Sequence, residues 1–179
     1  MVNSGLSNRS INRKISSLKA YYKFLLRTEQ IEINPLASHK ALKTKKNIQI
    51  PFSESEVEDV LSAIKPESFE SARDLSIITL FYATGIRRAE LMGIKLNDLD
   101  LRNKQLKVLG KRNKERLVPL LPEVAKLLEV YIEFRKEKNV QGTQELFITE
   151  KGIKLYETLV YRIINNYFSK ASNKVKKSP

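Results

Sequence analysis

The stretch SARDLSIITLFYATG, residues 71–85, limits the fold more than any other part of the chain. A helix over about 70–83 carries Leu75, Ile78 and Tyr82 on one side and Ile77, Leu80 and Phe81 close by. It is apolar on most faces, so other elements must surround it. The apolar run is too short to span a bilayer and ends at Thr84-Gly85, where glycine permits a sharp turn. The spacing therefore predicts a buried central helix in a globular domain.

The covering elements can be read on either side. SNRSINRKISSLKAYYKFLLRT, residues 7–28, predicts a helix with Ile11, Ile15, Leu18, Tyr22 and Leu25 in one stripe. Residues 31–51 hold two prolines and the basic positions Lys43, Lys45 and Lys46, the pattern of an extended basic linker. Ser53 and Glu56 have the spacing of a capping box, opening a helix with Val57, Val60, Leu61 and Ile64 inward. Beyond residue 98 the period shortens. Strands are expected near 99–102, 105–109 and 115–119, with GKRNK, residues 110–114, as the last turn. A helix follows Pro122 with Val124, Leu127, Leu128, Tyr131 and Phe134 inward, and a final helix covers about 155–168. The predicted fold class is mainly α with a small three-stranded antiparallel β-sheet.

The 179 residues suffice for one domain with a core plus an appendage. Lys and Arg total 33 against 20 acidic residues, a net charge of +13. That self-repulsion is offset by a polyanionic partner, and nucleic acid is the usual one. The chain has no cysteine, which removes disulfides and thiolate ligands. Its single histidine, His39, lies in ASHKALK and reads as a solvated loop residue. No metal or other cofactor is expected. Residues 1–30 lack a signal-peptide pattern, so a cytoplasmic protein without membrane contact is expected. The tip Lys111, Arg112, Lys114 and Arg116 crowds like charges, which favours an anion there. Aromatic-rich strands that stack bases are missing, which argues against an RNA-binding domain.

Residues 83–94, ATGIRRAELMGI, place two arginines straight after the turn. At helical spacing Arg87, Glu90, Leu91 and Ile94 share an inward face, and Arg88 joins Met92 and Lys95 outward. The spacing leaves two readings of Arg87: a structural ion pair with Glu90, or a guanidinium held for an anion.

ATGIRRAEL, followed by GKRNKERLVPL about two dozen residues later, resembles the tyrosine recombinase (phage integrase) family, particularly its Xer-like members. SARDLSIITLFYATGIRRAELMGIKLNDLDL fits the same pattern, and PFSESEVEDVL resembles the entry to the family's catalytic domain. INRKISSLKAYYKFLLRTEQIEINPL resembles the last helix of its core-binding, SAM-like domain. The resemblance implies residues 1–30 as that helix, 31–51 as linker and 52–179 as catalytic domain. It also implies DNA strand exchange through a 3′-phosphotyrosyl link, double-stranded DNA as partner and a tetramer of subunits on paired sites. By motif position Arg87 resembles the first catalytic arginine, Lys111 the hairpin general acid and Glu90 the acid that orients Arg87. Arg9, Arg13, Lys14, Lys43, Lys45, Lys46, Arg112 and Lys114 are the expected DNA contacts.

The family's His-x-x-Arg motif and nucleophilic tyrosine have no match in this sequence. Tyr156, Tyr161 and Tyr167 read as packing positions on or beside the last helix. The expectation is a middle piece of a recombinase that does not cleave DNA alone. The alternative is a non-catalytic DNA-binding remnant or regulator of an intact relative.

Overall fold

The computed structural model describes residues 5–45, 50–138 and 142–171. The chain divides into two compact units, Met1–Ile48 and Gln49–Pro179.

In the first unit α1 spans Asn8–Arg27, with Ser7 as N-cap accepting from the Ser10 N–H. Ile11 is buried and Ile15, Tyr22 and Leu25 are half-buried, but Leu18, expected inward, is 40% exposed. The segment expected as an extended linker is tied back to α1 over part of its length. Asn12 donates to the Leu42 carbonyl at 2.8 Å and accepts from the Leu42 N–H at 2.9 Å. Asn8 donates to the Lys43 carbonyl, and the Lys19 ammonium donates to that of His39. A helix side chain thus supplies the backbone partners that an isolated strand would lack. His39, expected in solvent, is half-buried for the same reason.

In the second unit α2 is Glu54–Ala63, α3 Phe69–Thr84 and α4 Arg88–Gly93. The expected box forms at α2: the Ser53 N–H donates to Glu56 Oε2 at 2.7 Å and Ser53 Oγ accepts from the Glu56 N–H. The central helix is α3. Ile77 and Leu80 join Leu91, Ile94, Leu106, Val108, Leu128 and Tyr131 in the larger core. On its other side Leu75 and Ile78 pack with Val57, Val60, Ile64 and Phe168. Tyr82, expected inward with them, is half exposed. Gly85 ends α3 at φ 61°, a left-handed conformation that glycine adopts without Cβ strain.

Strands β1 (Leu99–Asp100), β2 (Gln105–Leu109) and β3 (Glu115–Pro119) form an antiparallel sheet in sequence order. Leu106 pairs with Val118 and Val108 with Arg116. β1 is shorter than the expected 99–102. The Asp100 carboxylate captures both the backbone and side-chain N–H of Asn103, and Lys104 adopts φ 51°, so the chain turns early.

Helices α5 (Pro122–Lys136) and α6 (Glu157–Ala171) close the unit. Buried Arg135 on α5 donates to the carbonyls of Leu146, Thr143 and Glu145. That fixes the segment whose Gln144 carbonyl and Leu146 N–H bond to Leu96 and Ile94 just past α4. On α6 Val160, Ile163 and Phe168 are buried. Tyr167 is half-buried and donates to Asp74 Oδ2 at 3.5 Å. Tyr156, just before α6, and Tyr161, expected as packing positions, are 46% and 50% exposed, Tyr161 because it lies off the face that buries Val160, Ile163 and Phe168.

Leu80 is fully buried among α3's neighbours. Leu80→Ala is expected to cost about 2–5 kcal/mol in denaturant unfolding. Tyr82→Ala, two residues on but half exposed, is expected to cost much less.

Candidate functional site

The candidate site is built where α3, α4 and the β2–β3 hairpin meet. Gly85 turns the chain out of α3, Ile86 is buried, and Arg87 follows as the N-cap of α4. Arg87 has extended backbone, φ −77° and ψ 150°. Helical spacing therefore does not carry back to it. Glu90, Leu91 and Ile94 do face inward, but the Arg87 side chain is 72% exposed, which corrects the expected inward lean. Arg88 points to solvent as expected and pairs with Glu157 Oε2 at 3.0 Å.

Glu90 is the fixed point. Its side chain is only 5% exposed, and its carboxylate accepts four hydrogen bonds. Oε1 accepts from Arg87 Nη1 at 2.9 Å and Arg116 Nη1 at 3.1 Å. Oε2 accepts from the Arg87 backbone N–H at 2.9 Å and Arg116 Nη2 at 2.8 Å. The backbone bond also satisfies an otherwise unpaired donor at the start of α4. The Arg116 hydrogen bond, against the opposing pull of burial, and then the two bonds from Arg87 hold the Glu90 carboxyl down at about 2.

Arg116 was read from sequence only as one more charge at the hairpin tip. Its place beside Glu90 follows from register. Arg116 sits opposite buried Val108, two residues before half-buried Val118, so β3's alternation turns it toward the core side of the sheet. The signal was present in the alternation, but its carboxylate partner lies 26 residues away.

Gly110 makes the close approach possible. A methyl group there would lie 3.2 Å from Arg116 Nη1, 3.3 Å from the Lys114 carbonyl oxygen and 3.4 Å from Glu90 Oε1. Its φ of −94° suits any residue, so what glycine supplies here is room beside the ion cluster and the tip backbone. The Gly110 N–H donates to the Lys114 carbonyl at 2.7 Å and closes the hairpin tip. Lys111 comes next, in a 3-10 turn over Lys111–Asn113 with Arg112 at φ 61° and Asn113 at φ 58°. Lys111, Arg112 and Lys114 are exposed, and their side chains form no ion pair or hydrogen bond among the described residues.

The second unit thus brings Arg87, Glu90, Arg116 and the base of the Lys111 tip together. Of the other expected DNA contacts, Arg9, Arg13 and Lys14 are exposed on α1, and Lys43 is held near its start by Asn8. Lys45 is exposed. Lys46 lies outside the described residues. Among the described residues no helix is long and apolar enough to cross a membrane.

Two guanidiniums on one buried carboxylate, beside an unpaired basic tip, form a site with net positive charge and planar donors suited to a phosphate. The sequence pattern of the phage integrase family matches residues 51–178, and the chain belongs to this family of tyrosine recombinases. It is 34% identical over 201 aligned residues to tyrosine recombinase XerC of Chlorobaculum tepidum, covering 100% of this chain and 60% of that protein. Against XerC of Staphylococcus epidermidis the identity is 34% over 161 residues, 90% of this chain and 54% of that one. The chain thus spans little more than half the length of these relatives.

Among solved structures, the XerH site-specific recombinase in a post-cleavage complex with palindromic difH substrate superposes with a TM-score of 0.75. Identity is 20%, over 96% of this chain and 50% of that one. The Tn1549 transposon integrase with transposon right end DNA gives a TM-score of 0.76 at 22% identity, over 99% of this chain and 64% of that one. These likenesses establish a shared tyrosine recombinase fold.

The Glu90 carboxyl is lowered from the ordinary 4.5 to about 2. A carboxylate depressed on folding adds stability that is complete above its unfolded value and lost as pH falls through its folded one. The stability gap between wild type and Glu90→Gln is therefore expected to narrow as pH drops from 4.5 toward 2, read by chemical denaturation. Gly110→Ala is expected to lower the melting temperature, because the Arg116 guanidinium and the tip backbone must both give way.

Proposed function

We propose that this chain grips duplex DNA as part of a site-specific tyrosine recombinase. The observation that carries the reading is the exposed Arg87 guanidinium, anchored on buried Glu90 beside the unpaired Lys111 tip. In this reading Arg87 binds the non-bridging oxygens of the scissile phosphate and stabilises the charge of its transition state. Glu90 orients Arg87. In the complete recombinase, Lys111 gives its proton to the 5′-oxygen as that phosphorus–oxygen bond breaks, while the nucleophilic tyrosine loses its phenol proton to solvent and bonds through that oxygen to the phosphorus. That the XerH recombinase is bound to difH substrate and the Tn1549 integrase to transposon right end DNA supports DNA as the ligand.

Arg9, Arg13, Lys14, Lys43, Lys45 and Lys46, with Arg112 and Lys114 at the tip, are assigned to the phosphate backbone. Residues 1–30 are assigned to the end of a core-binding domain, 31–51 to the linker and 52–179 to the catalytic domain. Assembly of the whole protein is read as a tetramer on paired sites, acting in the cytoplasm. Tyr156, Tyr161 and Tyr167, on or beside α6, match no nucleophile motif, so the nucleophile is assigned to none of them. The chain is accordingly proposed to bind DNA without cleaving it.

The test is binding to a short duplex across a salt series. Affinity is expected to fall steeply with salt, and Arg87→Ala or Lys111→Ala to reduce the log–log slope by about 1 each. A denaturing gel is expected to show no covalent protein–DNA adduct. Absence of binding by the folded protein at low salt would sink the proposal, and an adduct would sink the assignment of the nucleophile.

A further inference from the structure

Glu90 presents an electrostatic problem. Alone with Arg87 it would form a neutral pair, and a guanidinium neutralised by a buried carboxylate attracts an anion weakly. The structure holds a second cation on the same carboxylate. Arg116 meets both oxygens, Nη1 on Oε1 at 3.1 Å and Nη2 on Oε2 at 2.8 Å. Arg87 meets Oε1 with its side chain and Oε2 with its backbone N–H. Two positive charges therefore share one negative charge, and the site keeps a net charge of one.

We propose that Arg116 is a positioning residue that offsets the charge of Glu90, so that Glu90 orients Arg87 without neutralising it for phosphate. Exposure divides the work. The Arg87 side chain is 72% exposed and open to a ligand, against 40% for Arg116 and 5% for the carboxylate between them. Gly110 leaves the room that Arg116 needs, and Lys111 is the next residue. The contact that frees Arg87's charge thus also seats the base of the tip. Lys107 and Glu115, the other charged residues of β2 and β3 nearby, pair with each other, and Lys107 also pairs with Asp98. Among the described residues neither forms an ion pair with Glu90 or Arg116.

This inference rests on the phosphate-site reading of Arg87, and the test separates the two. Binding to a short duplex is measured across a salt series for wild type, Arg116→Lys and Arg116→Gln, each with and without Arg87→Ala. In wild type Arg87 is expected to account for about one unit of the log–log salt slope. In Arg116→Lys, which keeps the charge, that unit is expected to remain. In Arg116→Gln it is expected to vanish, because Glu90 then neutralises Arg87. A purely structural role for Arg116 would make Lys and Gln behave alike, since both lose the two-pronged contact, and that result overturns the proposal. So does an Arg87 contribution that is equal in all three backgrounds. If Arg87 contributes nothing in wild type, the phosphate-site reading itself fails and takes this inference with it. Thermal unfolding checks that each variant is folded, and Arg116→Met replaces Arg116→Gln as the neutral variant should the latter not fold.

Discussion

The buried carboxylate of Glu90 is the constraint around which the second unit's candidate site is organised. A carboxylate covered from direct contact with water needs its lone pairs filled, and four donors fill them. Those donors come from the entry to α4 and from β3, so one side chain ties a helix start to a strand. The tie explains why the hairpin is pulled close enough for Gly110 to abut the ion cluster. It also explains why Arg87 stands at the surface. As N-cap it gives its backbone N–H to the same carboxylate that holds its side chain.

The rest of the unit supports that point at a distance. α3 is buried on both sides and delivers the chain to the Gly85 turn, from which Ile86 and Arg87 emerge. Arg135 and Tyr131 hold the 143–146 segment, which in turn bonds to Ile94 and Leu96 beyond α4. The helix that carries Glu90 is therefore fixed at both ends, although it is only six residues long. Such a short helix has little stability of its own and depends on these neighbours.

Much of the fold was legible in the sequence, for physical reasons. The all-round apolar character of α3, the Ser53–Glu56 box and the alternation of β2 and β3 are local signals, and local geometry follows them. The site was legible in part. Arg87, Glu90 and Lys111 are candidates through a motif resemblance, and the structure brings Arg87 and Glu90 into contact, but Arg87 points outward where helical spacing has it inward. Helical spacing was counted through a residue that caps the helix instead of lying within it. Arg116 was missed as a partner because nothing near it in sequence demands a carboxylate. The return of Leu36–Lys43 along α1 was missed because Asn8 and Asn12 look like ordinary exposed polar residues until a backbone lies beside them.

On the proposed reading Arg87, set on Glu90, is the guanidinium that meets DNA phosphate. The most direct measurement is the NMR signal of the Arg87 side-chain N–H as a short duplex is titrated in at low salt. A saturable shift of that signal is expected in step with binding, and its loss as salt displaces the duplex. Binding that saturates while the Arg87 signal stays put would contradict it, and would leave the grip on DNA to the lysines and arginines elsewhere in the chain.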